Sequence, residues 1–178
     1  ELTLHLADEI TPIWQMTEEA LAEIGLPPPF WAFAWAGGQA LARYVLDHPE
    51  VVRGGQVIDF ASGSGIVGIA AKKAGAAQVL CADIDGFCQA ALSLNQTANG
   101  VVCDFTDKDL LDAPPPPADV ILAGDICYEK PMTDKVMAWL QTARARGTTV
   151  LIGDPGRSYF PKSGLEKLAE YQVQTTRE

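Results

Sequence analysis

The sequence predicts an α/β fold, in which a doubly wound and mostly parallel sheet is covered by helices on both faces. From Gly55 onward, short apolar runs alternate with segments of helical periodicity, as in a series of βαβ units. The segment Val57–Ala70 has the pattern of a buried strand, a glycine-rich turn and the start of a helix. Folds of this class bind ligands at the carboxyl ends of their strands. We therefore expect a ligand crevice at that edge of the sheet.

The other elements follow from local patterns. Apolar runs predict strands near 56–60, 78–83, 101–105, 118–124 and 148–153. Helical periodicity predicts helices near 65–74, 87–98 and 132–145, with earlier helices over 12–24 and through Leu41–Leu46. Residues 171–178 are suited to begin a sixth strand. We interpret 1–178 as a single domain, with 1–50 as a helical cover segment and 51–178 as the ligand-binding α/β core.

Composition and charge exclude several classes of partner. The chain of 178 residues carries a net charge of −10, whereas a nucleic-acid partner would need a basic face. No apolar run approaches the roughly 20 residues that span a bilayer, so we expect no membrane partner. Four scattered cysteines and two histidines form no metal-ligand pattern, and we expect no metal. Reduced, mostly buried thiols suit a bacterial cytoplasm, or the mitochondrial matrix if the source is eukaryotic. The chain starts at Glu1 and not at a methionine, so we expect residues upstream of it.

The glycine turn carries the main information about the ligand. Gly63, Gly65 and Gly68 match the dinucleotide fingerprint G-x-G-x-x-G, which by itself is a weak signal. Asp59, at the end of the preceding strand and four residues before the first glycine, adds a carboxylate that would repel a pyrophosphate. A ligand without phosphates, with a positive charge and with hydroxyls or an amine, fits better. These properties favour S-adenosylmethionine.

Acidic residues follow the next two predicted strands. Asp83, about 20 residues after the first glycine, is placed to bind ribose hydroxyls in either a nicotinamide or an adenosylmethionine site. Asp85 suits the N-cap of the following helix better. Asp109 is a candidate acceptor for an adenine amine, and Asp104 and Asp107 are close enough in sequence to compete for that role.

Two further segments bring polar and aromatic groups to the same edge. Asp125 ends the fourth predicted strand, where it is a candidate for the site or a turn former, and Tyr128 follows it. The aromatic run Phe30–Trp35 reads either as a hydrophobic lid or as a cofactor cover offering cation–π contacts to a sulfonium. Arg157, in a turn after the fifth strand, is a candidate substrate contact.

Together these segments resemble the class I (seven-strand, Rossmann-like) S-adenosylmethionine-dependent protein-lysine methyltransferases. The resemblance is narrower to the electron transfer flavoprotein β-subunit lysine methyltransferases, and it extends over nearly the whole chain from about residue 27. The segments that carry it are Pro-Phe-Trp-Ala-Phe-Ala-Trp-Ala-Gly-Gly-Gln-Ala-Leu-Ala-Arg-Tyr (29–44), Asp-Phe-Ala-Ser-Gly-Ser-Gly (59–65), Ala-Asp-Ile-Asp (82–85), Gly-Asp-Ile-Cys-Tyr-Glu (124–129) and Leu-Ile-Gly-Asp-Pro-Gly-Arg (151–157).

The resemblance implies a set of cofactor contacts. Asp59, Gly63 and Gly65 would cradle the methionine part of S-adenosylmethionine. Asp83 would bind the ribose, and Asp109 the adenine.

The resemblance also implies an acceptor side. Trp35 and Gly38 would border the methionine end of the cofactor. Asp125 would lie beside the cofactor, and it and Tyr128 would lie where the target lysine enters. The family's sheet ends in an antiparallel pair of strands, of which only the first has room here, so we expect the last strand to be missing from this chain.

The implied function is methyl transfer to a protein lysine, with the electron transfer flavoprotein β subunit as substrate. A ribosomal-protein lysine methyltransferase of the same fold is the nearest alternative. A nicotinamide-dependent oxidoreductase and a non-catalytic binding module are more distant ones. The sequence leaves the oligomeric state and the target lysine open.

Overall fold

The computed structural model describes residues 1–7, 16, 18–23 and 25–173 of the chain. The strands in that part are β1 (Gln56–Phe60), β2 (Gln78–Ala82), β3 (Asp104–Thr106), β4 (Val120–Gly124) and β5 (Thr149–Gly153). Its α-helices are α1 (Glu18–Glu23), α2 (Ala36–Asp47), α3 (Ile66–Lys73), α4 (Phe87–Asn99) and α5 (Lys130–Ala145). The strands form one parallel sheet in the order β3–β2–β1–β4–β5, which confirms the predicted fold class.

The predicted strands are confirmed with one shift. The third strand was expected near 101–105, but pairing with β2 begins only at Asp104. The reason lies in Gln96 of α4, whose backbone carbonyl accepts from Val101 and whose side chain accepts from the backbone nitrogen of Cys103 at 2.9 Å. Residues 101–103 therefore bond to the end of α4, and strand pairing starts only after them.

The two ends of the chain are described only in part. Of the helix predicted over 12–24, the structure describes Glu18–Glu23 as α1, and residues 12–15, 17 and 24 lie outside the described residues. Of the possible sixth strand, 171–173 are not in a strand, and 174–178 lie outside the described residues. No helix in the described part of the chain is long and apolar enough to cross a membrane.

Both faces of the sheet pack against helices, because successive buried side chains along a strand point to opposite faces. In β1, Val57 faces α2 and α3, whereas Ile58 and Phe60 face α5. This period of two places Asp59 on the α3 face, together with Val57. The orientation of Asp59 is thus set by its position in the strand.

The strand order creates a crevice between β1 and β4. From β1 the chain runs through β2 to β3 at one side, and it returns to the other side of β1 at β4. The helices after β1 and β4 then cover opposite faces of the sheet, with α3 on one and α5 on the other. Such a reversal is the usual ligand site of open α/β sheets.

The start of α2 closes one side of this crevice through close contacts between backbones. A Cβ on Gly37 would overlap the carbonyl oxygen of Gly153, at the end of β5. A Cβ on Gly124, at the end of β4, would lie 2.9 Å from the Cα of Gly38. Glycines on both sides therefore allow the N-terminus of α2 to lie against the carboxyl ends of β4 and β5.

Candidate active site

The glycine turn joins β1 to α3 through a series of left-handed residues. Ala61, Gly63 and Gly65 have φ angles of 55°, 49° and 79°. The turn is closed by a hydrogen bond of 2.7 Å from the Gly65 nitrogen to the Ser62 carbonyl. Only glycine adopts such angles at little cost, and the glycines bring bare backbone to the carboxyl end of β1.

Asp59 lies beneath this turn, with 1% of its surface exposed. Its Oδ2 accepts a hydrogen bond of 2.7 Å from the backbone nitrogen of Gly68, in the first turn of α3. That nitrogen has no partner within the helix, so Asp59 satisfies it from the strand. Burial raises the pKa of Asp59 well above its ordinary value, and the Gly68 N–H opposes this shift only in part. The Asp59 side chain therefore has no exposed oxygen in the crevice, and it acts on the crevice through its hydrogen bond to the Gly68 nitrogen.

Asp83 joins the end of β2 to the glycine turn. Its Oδ2 accepts from the backbone nitrogen of Gly63 at 2.9 Å, and its Oδ1 accepts from that of Asp85 at 3.1 Å. Asp85 in turn accepts from the nitrogen of Phe87, the first residue of α4, at 2.9 Å. Asp85 thus bonds to the first residue of α4, as a capping residue would, but the N-cap position itself is Gly86, one residue later than predicted. The half-buried Asp83 borders the crevice.

Asp109 is engaged in a turn after β3. Its Oδ1 accepts from the backbone nitrogen of Leu111 at 2.9 Å, and its Oδ2 lies 3.9 Å from Nζ of Lys135. Asp104 lies in β3 itself and Asp107 in the loop, and both are exposed. Asp107 and Asp109 therefore follow the carboxyl end of β3, whereas Asp104 is its first residue, and the choice among them as adenine acceptor remains a prediction.

Asp125 joins three parts of the chain at the end of β4. Its Oδ2 accepts from the backbone nitrogen of Gly38 at 2.6 Å, and its Oδ1 pairs with Nη2 of Arg157 at 3.1 Å. Its own backbone nitrogen donates to the Gly153 carbonyl at 2.9 Å. These bonds hold Asp125 at a φ of 58°, which aspartate adopts more readily than most residues. Only 10% of its side chain is exposed, so the carboxylate is largely enclosed by its partners.

Arg157 extends back over the aromatic segment. Its guanidinium carbon lies 5.9 Å from the ring centroid of Trp35, within the range of a cation–π contact. Its Nε is buried without a hydrogen-bond partner. The sequence indicated Arg157 as a substrate contact, but nothing in its spacing revealed the pairing with Asp125.

Asp154 was missed by the sequence analysis. Its Oδ1 accepts from the nitrogens of Gly156 and Arg157 at 2.7 and 2.8 Å, which shapes the turn that carries Arg157. Its Oδ2 is buried without a partner. Burial raises the pKa of Asp154, with a smaller contribution from the charge of Asp125. The available signal was an acid directly after the fifth strand, at the edge where the other site residues lie.

The aromatic segment covers the glycine turn. The carbonyl oxygen of Phe30 would lie 3.7 Å from a Cβ on Gly63, and it accepts from Nε1 of Trp35 at 2.9 Å. The ring of Phe30 also lies 5.7 Å from that of Tyr128. Burial raises the pKa of the half-exposed Tyr128, assisted by the charges of Glu129 and Asp83, so the phenol is protonated near neutral pH. These positions bring Trp35, Gly38 and Tyr128 to the same side of the crevice as Asp125.

A buried asparagine, which the sequence analysis also missed, links the N-terminal residues to the turn. Asn95 of α4 is 0% exposed, accepts from the backbone nitrogen of His5 at 2.6 Å and donates to the Ser64 carbonyl at 2.8 Å. An asparagine in the middle of an amphipathic helix gives no sequence signal of such a role. Its partners lie 90 and 31 residues away.

Comparison with known proteins identifies the family. Residues 39–151 match the family model "Ribosomal protein L11 methyltransferase (PrmA)". The chain is 41% identical over 179 residues to the electron transfer flavoprotein beta subunit lysine methyltransferase of Xenopus laevis, covering 97% of this chain and 72% of that protein. It is 43% identical over 151 residues to the rat protein of the same name, covering 82% of this chain.

A solved structure agrees with this result. The crystal structure of ribosomal protein L11 methylase from Lactobacillus delbrueckii subsp. bulgaricus matches with a TM-score of 0.54 and 27% identity, covering 66% of this chain and 60% of that one. The present chain spans 59% of the length of the rat relative. With a family model matching well over half of its residues and a relative matching nearly all of them, the chain belongs to the PrmA methyltransferases and to the family of the electron transfer flavoprotein beta subunit lysine methyltransferases.

Proposed function

We propose that this chain is an S-adenosylmethionine-dependent protein-lysine N-methyltransferase that modifies the electron transfer flavoprotein β subunit. The observation that carries the proposal is its 41% identity, over 97% of its length, to a protein named for that activity. The geometry supports it, because the ends of β1, β2 and β4 bring the glycine turn, Asp83 and Asp125 to one crevice.

The residues of the crevice fit this cofactor. Each Asp83 oxygen accepts one backbone hydrogen bond, and an ionised carboxylate has about four acceptor sites in all, so ribose hydroxyls find free ones. We propose that Gly63 and Gly65 hold the methionine part, with Asp59 positioning the turn from below, and that Asp109 accepts from the adenine. When bound, S-adenosylmethionine supplies a methyl group already activated by its sulfonium.

On the acceptor side, Trp35, Gly38, Asp125 and Tyr128 would receive the lysine. An ammonium has no lone pair, so the lysine has to be neutral when it reacts, although its reference pKa is about 10.4. Desolvation between Trp35 and Tyr128 lowers that pKa. Because the Asp125 carboxylate is paired with the Arg157 guanidinium and only 10% of its side chain is exposed, we propose that this residue orients the site and does not act as a strong base. The rate then comes mostly from alignment and from exclusion of water.

Incubation with S-adenosylmethionine and purified electron transfer flavoprotein β subunit, followed by mass spectrometry of the tryptic peptides, tests the proposal. We expect methylated lysine in the β subunit. Calorimetric binding of NAD without binding of S-adenosylmethionine would contradict it and would favour an oxidoreductase.

The second candidate, a ribosomal-protein methyltransferase, has support of its own. The matching family model and the matching solved structure are both named for ribosomal protein L11. Ribosomal protein L11 therefore belongs in the same experiment as a parallel substrate. Methylation of L11 together with an unmodified β subunit would favour this alternative.

A further inference from the structure

Four aromatic residues, three of them about half exposed, lie at the mouth of the crevice. They are Tyr128, Phe30, Trp31 and Phe87, and we call them the aromatic strip. The rings of Tyr128 and Phe30 lie 5.7 Å apart, Trp31 follows Phe30 in the chain, and the rings of Trp31 and Phe87 stack at 6.2 Å. Three of these residues are large apolar side chains left about half exposed, with 50% for Tyr128, 45% for Phe30 and 49% for Phe87.

The aromatic strip has the properties of a protein-binding surface. Contiguous exposed apolar surface is uncommon on a free protein and marks sites of interaction. Aromatic residues are enriched among those that dominate binding energy at interfaces. Single exposed residues such as Leu94 and Val102 need no such explanation, because isolated apolar side chains are normal on a surface.

Acidic residues border the aromatic strip at both ends. At one end, Glu129 follows Tyr128 in the chain, and its charge contributes to the raised pKa of the Tyr128 hydroxyl. At the other end, Asp85 accepts from the backbone nitrogen of Phe87. The chain as a whole carries a net charge of −10. An apolar surface between carboxylates is complementary to a segment that carries lysine or arginine on either side of apolar residues.

We propose that the aromatic strip docks the protein substrate, by binding a basic segment with apolar residues close to the target lysine. Tyr128 lies three residues after Asp125, so a segment along the strip reaches the acceptor side of the crevice. This inference rests on the proposed lysine methyltransferase function and specifies which surface selects the substrate.

The Phe87→Ala variant of the chain tests this role. Phe87 is exposed and packs on Trp31, so the substitution removes strip surface without opening the core. Leu94→Ala is the matched control, because Leu94 lies on the same helix, is 56% exposed, and is about 10 Å further from the crevice edge. For each variant we would measure kcat and KM for the electron transfer flavoprotein β subunit and for a short peptide that contains its target lysine with the flanking residues. The Kd for S-adenosylhomocysteine completes the comparison.

We expect Phe87→Ala to raise KM about fivefold both for the whole β subunit and for the peptide, while kcat and the Kd for S-adenosylhomocysteine stay unchanged. Leu94→Ala should behave as the wild type. An unchanged KM for the β subunit in Phe87→Ala overturns the inference, and so does a weaker Kd for S-adenosylhomocysteine, which would place the ring against the cofactor. A wild-type dimer that Phe87→Ala converts to a monomer would instead identify a second copy of the chain as the occupant.

Failure of the proposed function gives a different result. In that case the wild type itself methylates neither the β subunit nor the peptide, and the docking inference falls with it. A wild type that methylates the β subunit, with equal KM values in both variants, removes the docking inference alone.

Discussion

Single residues of the proposed site act mainly by holding parts of the chain together. Asp125 illustrates this, because its backbone nitrogen and both carboxylate oxygens are bonded to Gly153, Gly38 and Arg157. A left-handed residue costs about 1–3 kcal/mol and persists only where its surroundings impose it. The bonds to three separate segments supply that constraint, and they fix the geometry of the acceptor side.

Substitution of Asp125 should separate its charge from its hydrogen bonds. Asp125→Asn keeps an oxygen for the Gly38 N–H and tolerates the left-handed angle, but it loses the ion pair with Arg157. We expect methyl transfer to fall about 100-fold, with the Kd for S-adenosylhomocysteine nearly unchanged. Asp125→Ala should abolish transfer. Loss of cofactor binding together with activity would show that the role of Asp125 has been placed wrongly.

Arg157 should matter through its contact with Asp125. We expect Arg157→Gln to lower kcat about tenfold, because it removes a charge-assisted hydrogen bond that fixes the carboxylate. Arg157→Lys should recover part of the loss, since it keeps the charge but not the planar fork. Arg146→Gln is the matched control, because Arg146 bonds to the Pro115 carbonyl, in the loop that leads into the start of β4. Wild-type kcat in Arg157→Gln would contradict the prediction.

Asp59 should make stability depend on pH. Burial raises its pKa above the ordinary value of 3.8, so the folded state holds the proton more tightly than the unfolded state. The free energy of unfolding therefore falls as the pH rises from about 3.8 through the raised pKa. Asp59→Asn removes this titration while keeping an oxygen for Gly68. Urea unfolding at a series of pH values should show a flatter decline for the variant, and equal declines would count against the prediction.

At the level of elements, the site depends on how closely α2 approaches the sheet. Gly37 and Gly38 touch the backbone at Gly153 and Gly124, so the helix start lies directly on the ends of β4 and β5. This contact delivers the Gly38 nitrogen to Asp125. Gly68 lets α3 approach β1 and β2 in a similar way, since a Cβ on it would lie 3.1 Å from Oδ2 of Asp59 and 2.6 Å from Sγ of Cys81.

Alanine at Gly153 should therefore disturb both stability and activity. Its Cβ would overlap the Gly37 carbonyl, and overpacking of this kind costs about 1–3 kcal/mol of unfolding free energy. We expect a matching fall in urea unfolding and a lower kcat, because α2 has to move away from Asp125. Gly86→Ala is the control: its Cβ would meet nothing within 4 Å, so its stability should not fall. Equal stability of both variants would refute the close-contact explanation.

At the level of the whole molecule, the strand order collects residues that are far apart in sequence. The carboxyl ends of β1, β2 and β4 meet at one edge because these strands are parallel, and the crevice lies between β1 and β4, where the strand order reverses. Binding at this edge joins the cover segment, the turn and the loops after β4 and β5. A ligand bound there should stabilise the entire fold.

Thermal unfolding should report that stabilisation. At a concentration 100 times its Kd, S-adenosylhomocysteine should add about 2.7 kcal/mol to the unfolding free energy. For a domain of this size the increase corresponds to a Tm about 5–10 °C higher. NAD at the same concentration should leave the Tm unchanged. A larger increase with NAD than with S-adenosylhomocysteine would contradict the assigned cofactor class.

Local patterns were sufficient to predict most of the fold. The strands and the helices around them depend on apolar runs and periodicity, which act over a few residues. The third strand was displaced because Gln96 holds residues 101–103, a side-chain contact that periodicity does not encode. The site shows the same limit of local patterns. Its residues were recognised by type and spacing, but the residues to which they hydrogen-bond were not.

The sequence by itself determined the α/β fold, the glycine turn with its acidic strand ends, and the family. These depend on residues that are neighbours in the chain, or on motifs that keep their order. Only the tertiary structure decided that Asp59 points under α3, that Asp125 pairs with Arg157 over Trp35, and that the aromatic rings align at the crevice mouth. Gly38 and Asp125 are 87 residues apart, and Asp125 and Arg157 are 32. Such contacts arise when strands and helices pack, and no local pattern specifies them.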